Sequence, residues 1–320
     1  MELRKQLIEG NQVSGMVQWN LGGYPQKVMF DGKQKDLPIV ITLHGGPGPP
    51  VPFSEGCRGL YPDFTDRFIM VYWDQLGCGI NNCPMKKIFT LELMVNMTRD
   101  LITAVRKRFP NNQIYLLSVS WGSVLSALVL DSVKDMIDGV VASGQVVKNL
   151  IFNDYTLEGL QESRIPRGKL EKIRKLDPEK MTSRDAMLLT SSIRKYTKGY
   201  IDPQDAPPIW PVVWGMLTSP DYRFRDFRAV MHNGYTGLDA PFRCLLNLDL
   251  QEQLQKTQIP YHIIQGGSDL ITPAGIAEQV VESCGNPNLT MEVVPGSGHF
   301  FGERGSKLLA AKLKELSRRQ

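Results

Sequence analysis

Short apolar runs alternate along this chain with stretches whose apolar residues recur at helical spacing. "PIVITLH" (38–44), "RFIMVYWD" (67–74), "QIYLLSVS" (113–120), "IDGVVASG" (137–144), "IPYHIIQGG" (259–267) and "LTMEVVPG" (289–296) are of strand length and apolar almost throughout. Such runs predict strands buried on both faces, as in a parallel sheet. Between them, "LELMVNMTRDLITAVRKRF" (91–109) has apolar residues at helical spacing: Leu91, Leu93, Met94, Met97, Leu101, Ile102 and Val105. "WGSVLSALVLDSV" (121–133) reads as a strongly apolar helix and "GSKLLAAKLKELSRR" (305–319) as an amphipathic one. Alternating strand and helix predicts an α/β fold, a mostly parallel central sheet with helices on both faces. The alternation lapses over 147–258, where helical segments, prolines ("PQDAPPIWP", 203–211) and aromatics replace buried strands. The expected organisation is a core of 1–146 and 259–320 with a helical insertion at 147–258.

Composition narrows the function without choosing it. The 320 residues are 42% hydrophobic and 22% charged, ordinary for a globular chain. The net charge of +4 comes from mixed charges. The densest basic runs, "VRKRF" (105–109) and "SRRQ" (317–320), fall at helix ends, where cations complement the dipole. No nucleic-acid partner is expected. No apolar run reaches the ~18 residues of a membrane span, so no membrane partner is expected either. The charged start "MELRKQLIEGNQ" lacks the apolar region of a signal peptide, and the five cysteines show no metal-ligand spacing. The expectation is a cytoplasmic protein with reduced thiols and no metal. Its partner is expected to be a small molecule or short peptide.

The chemistry is concentrated in four places. "LLSVSWGSVL" (116–125) runs from strand to helix through Ser120, a near match to the nucleophile elbow G-x-S-x-G with Ser118 in place of the first glycine. His299 follows a strand in the glycine-rich "VVPGSGHFFGE" and is the expected base. His262 sits within a strand and is expected to be packed, and His232 lies in the insertion. Asp269 follows another strand in "IIQGGSDLITP" and is the expected orienting acid. The order Ser120, Asp269, His299 is that of α/β hydrolases rather than of chymotrypsin or subtilisin. The fourth place is "TLHGGPGP" (42–49). Acyl transfer to serine requires backbone N–H donors for the oxyanion. The residue after the nucleophile, Trp121, and a loop glycine, Gly45 or Gly46, are the expected donors. His44 is assigned a structural role within that loop.

These pieces together, "HGGPGP", "VYWDQLGCGIN", "SVSWGS", "GGSDLITP" and "GSGH", resemble the proline iminopeptidase (prolyl aminopeptidase) family of α/β hydrolases over about residues 38–146 and 259–305. The resemblance implies a cofactor-free serine peptidase whose helical cap, here 147–258, is inserted before the strand carrying the acid. The chain departs from the family pattern at Leu76 and Gly267, where arginines are usual. It departs again at Asn81, where serine is usual, and at Ser118-Val119, where glycines are usual. None of these is a catalytic group. An aminopeptidase must also hold an α-ammonium, for which the resemblance points to carboxylates of the cap. Asp154, Glu158 and Glu162, at i, i+4, i+8, would share a helix face, and Asp221 and Asp226 are comparable candidates. Trp214, with Trp210, Tyr222, Phe224 and Phe227, could line a pocket or pack the insertion. Two other readings stay open: an esterase, amidase or lactonase on an uncharged acyl substrate, and a non-catalytic ligand-binding protein on this fold.

Overall fold

A computed structural model describes residues 2–318. The chain divides into two compact units, Met1–Val141 with Pro208–Thr236 and Leu313–Gln320, and Ala142–Pro207 with Gly237–Lys312.

The first unit holds strands β1 (Val13–Leu21), β2 (Tyr24–Gly32), β3 (Ile39–Leu43), β4 (Ile69–Tyr72) and β5 (Ile114–Val119), in the order β1-β2-β4-β3-β5. β3 pairs in parallel with β4 (Val40 opposite Met70) and with β5 (Leu43 opposite Ser118). Every residue of β3, β4 and β5 is buried, which accounts for their unbroken apolar runs. The opening hairpin departs from the sequence reading, which placed no strand before residue 38. β1 and β2 are antiparallel, joined by Gly22-Gly23, with Leu21 opposite Tyr24. Both loop glycines have positive φ, the geometry a two-residue turn needs to match strand twist. β2 then pairs antiparallel with β4. The long helix Leu91–Arg108 begins under a Thr90 cap, whose hydroxyl accepts from Leu93 N, and ends in three basic residues.

Strand β6 (Gly139–Ser143) carries the chain into the second unit, where β7 (Tyr261–Gly266) and β8 (Leu289–Val294) pair in parallel with Ile263 opposite Met291. The stretch 147–258 is helical. It contains seven α-helices and no strand beyond one isolated bridge, Lys148 to Asp249. Its residues 208–236 pack with the first unit and the remainder with the second. All five cysteines are free. Among the described residues no helix is long and apolar enough to cross a membrane.

Candidate active site

The end of β5 delivers Ser120 with φ 51° and ψ −115°, outside the regions an L-residue prefers. Holding a serine there costs about 1–3 kcal/mol, which the buried strand before it and the helix Trp121–Val133 after it must offset. Gly122 shows why the turn is so tight. A Cβ at that position would lie 1.9 Å from the carbonyl oxygen of Leu43, so only glycine lets the helix pass β3. Ser118, the substituted elbow position, is buried and bonds Ser126 Oγ at 3.1 Å, so the extra hydroxyl is satisfied. Trp121 is the first residue of the helix, before the regular ladder of intrahelical bonds begins.

The glycine loop lies beside the serine. A Cβ on Gly45 would sit 3.5 Å from Ser120 Cβ. Gly46 has φ 130°, a conformation open to glycine and strained for other residues. His44 is buried and clamps this loop: Nε2 accepts from Gln75 N at 3.0 Å, so Nδ1 carries the proton and donates to the Gly45 carbonyl at 2.6 Å. Burial pushes its pKa down to about 4, so the ring is neutral. That is the structural role read from the sequence. Gln75 was not singled out there, yet it binds both segments expected to supply the oxyanion donors. Its Nε2 donates to the His44 carbonyl at 3.1 Å, and its Oε1 accepts from Trp121 Nε1 at 2.8 Å.

In the second unit Asp269 and His299 meet, as the sequence predicts. His299 Nδ1 lies 2.8 Å from Asp269 Oδ2. The carboxylate accepts, so Nδ1 is the donor, which leaves Nε2 as the basic nitrogen. Asp269 Oδ1 also accepts from Ile271 N at 2.7 Å and Thr272 N at 3.0 Å, and Thr272 Oγ1 donates to Oδ2 at 2.7 Å. Both side chains are buried. The Gly199 carbonyl accepts from Leu270 N (3.3 Å) and His299 N (3.1 Å), tying together the two loops that carry the pair. Sequence reasoning missed Thr272, although its place three residues after Asp269 is that of a local side-chain cap.

The departures from the family pattern have local explanations. Asn81 Nδ2 donates to the Asp74 carbonyl at 2.7 Å and to Glu55 Oε1 at 3.2 Å, and its Oδ1 accepts from Lys27 N at 2.8 Å. Leu76 is buried and its carbonyl accepts from Tyr235 Oη at 2.7 Å. Gly267 N donates to the Val294 carbonyl at 2.9 Å. Around Asn81 lies a pair of fully buried carboxyls, Glu55 and Asp74, that the sequence did not reveal. Each accepts from the other's backbone N–H, at 3.0 and 3.1 Å. Asp74 also accepts from Ile80 N at 3.0 Å and from the Tyr222 hydroxyl. Desolvation raises the Asp74 pKa to about 6 against these bonds, and holds Glu55 well above the usual carboxylate range.

The substrate-binding candidates fare unequally. Asp154, Glu158 and Glu162 do share one face of the helix Asp154–Gln161 and its cap, and all three are exposed, opposite the buried Thr156 and Leu160. Trp214 is 64% exposed on the helix Ile209–Leu217, which belongs to the other unit. Asp221 and Asp226 are engaged structurally. Asp221 pairs with Arg58 at 2.6 Å, and Asp226 accepts from Arg223 N at 2.9 Å to cap the helix Phe224–Met231. His262 is packed, bonding Thr290 Oγ1 at 2.7 Å.

Comparison with known proteins gives a consistent picture. The family described as alpha/beta hydrolase fold matches residues 38–305. The chain is 24% identical over 304 residues to the probable aminopeptidase YbaC of Bacillus subtilis, covering 91% of this chain and 92% of that protein. It is 23% identical to a proline iminopeptidase of Lactobacillus delbrueckii subsp. bulgaricus, covering 84% and 86%. A solved proline iminopeptidase from Mycobacterium smegmatis shares the fold with a TM-score of 0.56 at 16% identity, covering 95% of this chain and 99% of that one.

Proposed function

The chain belongs to the alpha/beta hydrolase fold family, and from that premise we propose that it is a serine hydrolase acting through an acyl-enzyme, with Ser120 as nucleophile, His299 as base and Asp269 as its orienting acid. The observation that carries the reading is the strained conformation of Ser120 at a strand-to-helix turn, beside a glycine loop, in a chain that also holds a buried Asp269–His299 pair. His299 Nε2 takes the Ser120 proton as Oγ attacks the substrate carbonyl. The N–H of Trp121 and of Gly45 or Gly46 hold the oxyanion. Protonated His299 gives its proton to the leaving group, and water, activated by the same nitrogen, releases the acid and restores the serine.

The substrate we propose is a short peptide or amide with a free N-terminus, proline favoured there, and 147–258 is proposed as the cap that selects it. Support comes from relatives named aminopeptidase and proline iminopeptidase that match nearly the whole chain. A second reading, an esterase, amidase or lactonase for uncharged acyl groups, is favoured by the exposure of Asp154, Glu158 and Glu162, since exposed carboxylates hold an ammonium weakly. A fluorophosphonate probe tests the chemistry: one label is expected, lost in Ser120→Ala. Persistent labelling of that variant would remove Ser120 from the reaction. Rates on prolyl-naphthylamide, its N-acetyl form and a simple acyl ester test the substrate. Preference for the free amine supports the aminopeptidase, and equal or faster turnover of the others selects the second reading.

A further inference from the structure

The helix Ile209–Leu217, IWPVVWGML, contains no charged residue. A helix apolar on every side is normally enclosed. Here only the inner side is. Gly215 and Met216 are buried, and Met216 packs with Cys57 and Val230 while Leu60 and Val212 lie alongside. The outer side bears Trp210, Trp214 and Leu217, at i, i+4 and i+7, which are 80%, 64% and 43% exposed. The next helix, Phe224–Met231, is in contact with it and is built the same way. Asp226, Ala229 and Val230 face inward, while Phe224, Arg228 and Met231 share the outer stripe. Phe224 and Met231 are each 69% exposed.

The charge that these two helices and their flanks expose is net positive. Arg223, Arg225 and Arg228 are exposed. The stretch 208–236 has two acids against these three arginines, and only Asp226 meets one of them. Asp221 is paired with Arg58, and Asp226, 6% exposed, caps its helix and reaches Arg225 Nε at 3.3 Å.

We propose that this two-helix face docks on the surface of an anionic lipid bilayer. Trp210, Trp214 and Phe224 enter the headgroup region, and Arg223, Arg225 and Arg228 meet lipid phosphates. Tryptophan favours the boundary between water and acyl chains, and helices that lie in that plane combine an apolar face with basic residues. A second copy of the chain fits less well, because a two-fold contact sets the same patch, with its basic rim, against itself. The expectation of no membrane partner rested on the lack of a spanning run. A face that lies on the bilayer needs none.

The test is co-sedimentation with vesicles of phosphatidylcholine containing phosphatidylglycerol, compared with phosphatidylcholine alone. It does not use activity, so it stands or falls apart from the hydrolase reading. The protein is expected to bind anionic vesicles and to release as salt rises. Trp210→Ser with Phe224→Ser should weaken binding by about tenfold or more. Arg225→Gln with Arg228→Gln should weaken it by roughly fivefold per arginine and flatten the salt dependence. Circular dichroism melting of each variant checks the fold. No binding at millimolar lipid, or binding that both variants retain in full, overturns the proposal. So does a wild-type dimer by light scattering that Trp210→Ser converts to a monomer, which would mean that a second copy covers the face.

Discussion

Gln75 bonds to both segments assigned to the oxyanion, and its neighbours set the terms of two predictions. Truncation to Gln75→Ala removes the acceptor for Trp121 and the donor to the His44 carbonyl, so both donor segments can drift. Steady-state kinetics should show kcat down by about tenfold to a hundredfold with KM little changed, since loss of an oxyanion donor itself costs about 10²–10³. An equal effect on KM alone would mean Gln75 shapes substrate binding instead. The second prediction concerns Asp74, whose folded pKa is raised to about 6 from 3.8. The fold favours its neutral form, so its stabilising contribution is full below the unfolded value and is lost as pH climbs through about 6. The difference amounts to about 3 kcal/mol. Thermal melts should show Asp74→Asn stabilising relative to wild type at pH 7 and not at pH 4. Tyr222→Phe removes a bond that holds this pKa down, so the loss should extend to higher pH. A wild-type-minus-variant difference that does not change with pH would exclude Asp74 as the titrating group. Ser120, Asp269 and His299 could be proposed from the sequence because each sits in a short motif at a strand end. Gln75 could not, because its partners are 31 and 46 residues away and only the folded sheet brings them to it.

Among the elements, legibility followed burial. The runs that became β3, β4 and β5 are buried at every position, so hydrophobicity alone marked them. β1 is half-buried or exposed at all but its last residue, and Met16 interrupts its polar face, so neither a continuous run nor a clean alternation announces it. Its existence depends on pairing with β2, for which the Gly22-Gly23 turn was the one local sign. The elbow gives the sharpest test at this scale. In Gly122→Ala the new methyl would meet backbone, the Leu43 carbonyl, which no rotamer change can relieve. Strand and helix must separate, so the urea midpoint should fall, by an amount equivalent to about 2 kcal/mol or more. Fluorophosphonate labelling should fall with it, since the same separation moves Ser120. A variant with unchanged stability would show that the helix passes β3 with more room than this.

For the molecule as a whole, the residues proposed for the triad come from both units, Ser120 from the first and Asp269 with His299 from the second. Their chain order was legible, but the selectivity of the insertion was not, because helical spacing shows which residues share a face and not what that face meets. Asp154, Glu158 and Glu162 illustrate this: the i, i+4, i+8 pattern placed them together correctly, and their exposure fits either an ammonium site or a solvated stripe. The aminopeptidase reading makes a definite demand on them. A carboxylate in water attracts an ammonium by at most about 1 kcal/mol, or roughly fivefold in affinity. Neutralising all three as Asp154→Asn, Glu158→Gln and Glu162→Gln should therefore raise KM for prolyl-naphthylamide by about threefold to tenfold. The kcat should hold, because none of the three is proposed as an acyl-transfer group, and the N-acetylated substrate, which carries no ammonium, should show no change in KM. The effect should shrink in high salt, as an exposed charge interaction must. A KM that is unmoved for the free amine would make the stripe ordinary surface. A KM that shifts equally for both substrates would mean the substitutions disturbed the helix Asp154–Gln161 rather than a charge contact.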